Sequence, residues 1–372
     1  MVPAIAGRIP LVRRPKAPAL PLGERIAHLT GLAVAPAGAN HHDLVARASG
    51  VLNYAALVAS DVGIPDLAAD LSWRQHQVFA DAGHLAGDIA VMSLMPLINF
   101  SRLLTREGDG QAAYEVLIRL YRAAQKRGTT EIHGHTIDLS ALTSTEEDHR
   151  KICQELWVTL LVDGARALAR IGRWAEAAQA MTKHRAIGNR LLDGRQIMIM
   201  SLMERGLGKQ ARTAIESATP TEPWENAVAA LLRIHCGPAE SRLPEQELDH
   251  ALREAVTATA EPAPSVALFQ TRVALTAFDL VHNAADSRTT HLLDNVAQAA
   301  ALDAYAAREV LNHPAGSHLT RQQRQRLEAS VCAAGLRTGR LPSEHAHSLK
   351  EAVDQAERAL RSLLDTPGPR LD

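Results

Sequence analysis

Aromatic residues make up only 3% of this 372-residue chain. Without them goes much of the material that β-sheets favour. The hydrophobic 46% is carried by Ala and Leu, the strongest helix formers. Cysteine is scarce too. Cys153, Cys236 and Cys332 are odd in number, far apart and in no CxxC pair. That argues against a disulfide framework or zinc site, and for small buried residues in a reducing cytosol. Net charge is also missing: 40 basic and 41 acidic residues leave −1, so nothing global draws the chain to nucleic acid or an anionic membrane. No run of about 18 apolar residues offers a membrane span. Five prolines within residues 1–23 (3, 10, 15, 18 and 21) break the apolar stretch that a secretory signal needs. A cytoplasmic protein is expected.

Lysine is rare where arginine is abundant, the bias of a GC-rich genome such as an actinobacterium's. The 17 histidines add positive charge only near pH 6. Neither GxSxG nor a Walker loop or GxGxxG occurs in a strand context, so no catalytic residue and no cofactor is assigned.

Residues 1–40, with Arg8, Arg13, Arg14 and Lys16 among the prolines, read as a basic arm and lead-in, largely disordered. From 41 to 365 the chain reads as helix after helix separated by short Gly or Pro breaks, with a tail at 366–372. Within 41–220 four segments share one spacing: a small residue, a Gly seven positions on, an Ala five further, a packing residue four beyond. They are Ala56, Gly63, Ala68, Ser72; Ser101, Gly108, Ala113, Leu117; Ala165, Gly172, Ala177, Met181; and Ile199, Gly206, Ala211, Ile215, the last departing at its first position. Antiparallel helices joined tightly need Gly at the turn and small side chains where they cross.

On these residues, and above all on "ALARIGRWAEAAQAM" (167–181), the chain resembles the tetratricopeptide repeat family. The 34 residues from Gly172 to Gly206 match that family's period. The resemblance implies an all-α fold, a right-handed α-solenoid of antiparallel helix hairpins, continued by further hairpins over 221–365. The spacings of 45 and 64 residues between the earlier turn glycines depart from the family, as do its missing aromatics. The longer gap is explained by an insertion at 128–148, read as a small hairpin around His133-Gly134-His135. Ser144 or Thr145 can cap the next helix, and Glu146, Glu147 and Asp148 suit its positive end. His133, His135 and His149 have metal-ligand chemistry, but HxH on an exposed loop is common in a chain so rich in His, and no metal is assigned.

The family's groove positions lie ten, nine, six, three and two residues before the turn Gly. Carried over, they give Asn53, Tyr54, Asn99, Arg102, Arg106, Asp163, Arg166, Arg170 and Gln196 as partner-binding residues. Asn can bond an extended backbone with donor and acceptor, and Arg forks onto carboxylates. Arg102 and Arg166 fall at identical places, which suits a peptide or protein partner bearing acidic groups. The expectation is a scaffold, adaptor or regulator resembling actinobacterial regulator arrays, without their helix-turn-helix head. An accessory subunit or atypical enzyme of a biosynthetic pathway is the alternative, and RNA binding a second; a small-molecule ligand is compatible with each. Trp224, after Pro220 and Pro223, reads as a helix-start anchor, while "LLDGRQ" (191–196) and "PWEN" (223–226) are distinctive but have no mechanism in the sequence alone.

Overall fold

Gly63, Gly108, Gly172 and Gly206 all adopt left-handed backbone, with φ of 91°, 94°, 79° and 73°. Each is the turn residue expected from the repeat spacing. The three packing positions around each turn are buried in all four segments, from Ala56, Ala68 and Ser72 to Ile199, Ala211 and Ile215. The computed structural model describes residues 4–237, 245–281 and 287–365; the expected tail at 366–372 lies outside the described residues.

The helices begin with α1 (Leu22–Ala33), α2 (His41–Val62), α3 (Pro65–Ala82), α4 (Gly87–Met92), α5 (Met95–Glu107) and α6 (Gly110–Gln125). A two-stranded hairpin of β1 (Thr129–Ile132) and β2 (His135–Asp138) follows. Next come α7 (Glu146–Thr159), a π-turn at Leu160–Gly164, α8 (Ala165–Arg170), α9 (Trp174–Lys183), α10 (Asp193–Glu204), α11 (Gly208–Glu216) and α12 (Pro223–His235). The remainder are α13 (Glu245–Thr259), α14 (Ala267–Phe278), α15 (Ser287–Ala300), α16 (Ala304–Leu311), α17 (Arg321–Ala333) and α18 (Ser343–Asp365). The all-α class holds, and the one sheet among the described residues is the expected hairpin. Its β1 and β2 pair antiparallel through a turn at His133 and Gly134, both with positive φ, as a two-residue hairpin turn favours.

The chain forms two compact units, residues 22–167 with 335–372, and residues 1–21 with 168–334. This differs from the division expected at residue 220. In the first unit α2 packs against α1, α3 and α18, and α5 against α3 and α6. Leu349, Ala352, Val353, Ala356 and Leu360 make one buried stripe along α18, which is why this last helix joins the first unit rather than extending the hairpins before it. Asn40, Asp109 and Thr145 cap α2, α6 and α7 by accepting from the backbone N–H three residues on. Gly87–Glu107 is long and apolar enough to cross a membrane, at mean hydropathy 1.2 over 18 residues, where no such stretch was expected. It is interrupted at Ser93–Leu94, and α4 packs on α2 and α7 while α5 packs on α3 and α6.

In the second unit each helix from α9 to α17 packs on the next. Across alternate helices, α12 meets α14, α13 meets α15, α14 meets α16 and α15 meets α17. Trp174 is fully buried, and Trp224 opens α12 beside Pro223, edge-on to Phe269. The arm expected to be disordered is packed here instead: Ile5, Ile9, Leu11 and Ala19 are buried. Cys332 is exposed and Cys153 and Cys236 half-buried, so the three thiols are less enclosed than expected.

Candidate functional site

Residues 8–20 cross the second unit in contact with α10, α14 and the start of α16, without helix or strand from Leu11 to Pro21. The central contact is made by Gln196, fully buried on α10. Its Oε1 accepts from the Leu11 N–H at 2.7 Å, and its Nε2 donates to the Leu11 carbonyl at 2.9 Å. One carboxamide thus replaces a neighbouring β-strand for that residue. The Lys16 N–H donates to the Ser265 carbonyl at 2.9 Å, and the Ala304 N–H donates to the Ala19 carbonyl at 3.2 Å. The Ala19 N–H donates to Asp303 Oδ1 at 3.0 Å. Basic side chains flank these bonds: Arg8 pairs with Asp279 and donates to Thr276 Oγ1 at 3.0 Å, Arg14 pairs with Asp193, and the Lys16 ammonium lies 4.3 Å from the Tyr305 ring centroid.

The two motifs without a mechanism build this seat. In LLDGRQ, Asp193 and Gln196 face the segment while Arg195 donates to the carbonyls of Gly188 and Ala214 and to Ser217 Oγ, fixing the loop before α10. Gly194 has no room for a side chain, since a Cβ there would lie 2.3 Å from the Ala186 carbonyl oxygen. In PWEN, the Glu225 side chain is fully enclosed, pairs with Arg190 at 2.6 Å and accepts from the N–H of Leu191, Thr221 and Glu222. Burial pushes the Glu225 carboxyl up, but the bonds from Arg190 and those three amides outweigh it and hold the group below the usual carboxylate range. At the other end, Asp279 is half-buried between Arg8 and His313, whose Nε2 lies 3.1 Å from Asp279 Oδ1. The Ala315 N–H donates to His313 Nδ1, which turns Nε2 toward the carboxylate. Burial raises the Asp279 pKa, and His313 and Arg8 bring it below its ordinary value. The neighbouring His235 is pushed down to about 4 by burial.

Of the partner-binding residues expected from the sequence, Gln196 alone lies in this seat. In the first unit two pairs of the others meet each other: Asn99 Nδ2 donates to Asn53 Oδ1 at 2.7 Å, and Arg102 pairs with Asp163 at 2.9 Å. Arg106 donates to Ser60 Oγ at 2.6 Å and pairs with Asp61, which also holds the buried Arg25. Tyr54 packs edge-on to His28 beneath the Arg25 guanidinium. Arg166 is half-buried in the first unit and Arg170 exposed in the second, and neither is without a partner.

The three histidines with metal-ligand chemistry go separate ways. His135 stacks on Trp73 at 3.9 Å between centroids, and His133 tilts toward Phe100 at 5.8 Å. His149 is buried, with Nε2 2.8 Å from the Ala124 carbonyl. Among the described residues no group of three His, Cys, Asp or Glu side chains could hold a metal ion.

Asp193, Asp279, Asp303, Ser265 and Tyr305 were missed by the sequence reading. The one usable signal was complementary charge, since a cationic segment without acids needs acids elsewhere to bind it. No protein-family model, curated protein or solved structure matches the chain.

Proposed function

We propose that the chain is a helical-repeat scaffold of the tetratricopeptide kind that holds an extended peptide or protein partner, as a cytoplasmic adaptor or regulator. The observation that carries this reading is the pairing of Gln196 with both backbone groups of Leu11. A side chain that binds main chain rather than side chain recognises extended peptide of many sequences, with neighbouring pockets and charges supplying selectivity. The left-handed turn glycines and buried crossing positions support the repeat register, and the alternate-helix packing of α12–α17 supports stacked hairpins. The acid-bearing partner expected at Arg102 would have to displace Asp163, which already occupies that guanidinium.

Affinity capture by the 372-residue chain, with Gln196→Leu as the control, tests the reading. A partner enriched by the parent and lost from the variant is expected. Equal recovery by both, or no enrichment by the parent, defeats it.

A further inference from the structure

We propose that residues 8–20 are an exchangeable occupant of their seat, and that the seat binds a basic, proline-interrupted extended segment supplied by a partner protein. This rests on the scaffold reading and specifies the partner's chemistry. Three features of the second unit carry it.

The first is the manner of holding. Leu11, Lys16 and Ala19 are gripped through their backbone, by Gln196, the Ser265 carbonyl, Asp303 and the Ala304 N–H. Such bonds are open to any extended chain that presents N–H and C=O at the same places. The second is charge. The seat offers Asp193, Asp279 and Asp303, and the occupant answers with Arg8 and Arg14 on either side of Leu11, each three residues away. The third is exposure. Between the buried anchors Leu11 and Ala19, residues 13–17 face solvent. Salt screens such exposed contacts, which leaves the buried anchors at Ile9, Leu11 and Ala19 to hold the segment. The segment therefore behaves as a built-in competitor, lowering the apparent affinity of an incoming peptide by the fraction of time it leaves the seat open.

The probe is a fluorescent peptide of residues 4–21, titrated by anisotropy into the 372-residue chain. The parent is compared with a variant carrying Leu11→Asp and Arg14→Glu, which loosen the resident segment. The loosened variant is expected to bind the peptide at least tenfold more tightly than the parent, weakening with added salt. Adding Gln196→Leu should remove the gain. No gain in a variant whose circular dichroism matches the parent overturns the inference, as does stronger binding by a peptide with Glu in place of its Arg residues. Should the variant fail to fold, a protease site inserted between the exposed Leu20 and Pro21 lets the segment be cut after folding. Replacement of the cut segment by the labelled peptide supports exchange, and its permanent retention overturns it. Exchange without any captured partner would defeat the scaffold reading and the partner-supplied occupant with it, while showing that the segment exchanges; capture by a chain whose segment never exchanges would defeat the exchange alone.

Discussion

The Ser101 hydroxyl donates to the Ala113 carbonyl at 2.9 Å, joining α5 to α6 across the turn at Gly108. Both residues are enclosed, at 1% and 0% exposure, so no larger side chain fits between the helices. Ala113→Leu should destabilise the first unit by about 1–3 kcal/mol through overpacking. Urea unfolding followed by circular dichroism measures this, and parental stability would mean that the helices do not cross there.

Glu225 links the loop before α10 to the start of α12. Replacing it by Ala leaves the N–H groups of Leu191, Thr221 and Glu222 without their acceptor; the Leu191 bond is buried, and its loss costs about 1–3 kcal/mol. Because the folded carboxyl titrates below its unfolded value, its contribution is complete above about pH 4.5 and is lost as pH falls through the folded pKa. Acid titrations should therefore show a steeper loss of stability below that pH in the parent than in Glu225→Gln. Parallel curves would show that the carboxylate's charge does not matter.

His76 gives a pH dependence of another kind. Burial pushes it down to about 4, with His135 adding to the effect and Asp81 opposing it. Between pH 6.5 and about 4 the unfolded chain binds a proton that the folded one refuses, so stability falls as pH falls across that window. The loss from this ring should reach roughly 3 kcal/mol at the acid end. His76→Phe keeps the ring buried and removes the titration. Hydrogen exchange of the α3 amides, corrected for intrinsic rates, should then vary less with pH than in the parent.

Gly194→Ala should be destabilising, since the new methyl meets the Ala186 backbone carbonyl, which cannot rotate aside. The expected cost is about 1–3 kcal/mol. Faster hydrogen exchange at Leu11 should accompany it, because α10 carries Gln196, the acceptor of the Leu11 N–H. Unchanged protection there would uncouple the helix start from the seated segment.

The turn glycines and the buried positions around them were legible because they depend on local requirements: a Gly at each turn and residues that fit between crossing helices on either side. Gln196 was singled out only as a position carried over from the resembled family, ten residues before Gly206, and it holds this chain's own Leu11. Position alone did not show that Asn53 and Asn99, or Arg102 and Asp163, would meet each other; partners on one face can satisfy one another as readily as a ligand. The arm was misread because proline and arginine without acids resemble disorder. What orders it, Gln196, lies 185 residues further on. The destination of α18 was hidden likewise, since its stripe fits any apolar face.

The interleaving of the two units has a consequence for synthesis. Residues 4–21 leave the ribosome long before α10, α14 and α16 exist to receive them, and α1–α3 must wait for α18, the last helix, to cover α2. Neither unit can finish in the order in which it is made. Until translation passes residue 360, the apolar side of α2 that meets α18 is exposed, whereas Leu11 waits only for α10, α14 and α16. During that interval the nascent chain presents a hydrophobic helix face to chaperones and to other copies of itself, a period of vulnerability that the completed molecule no longer shows.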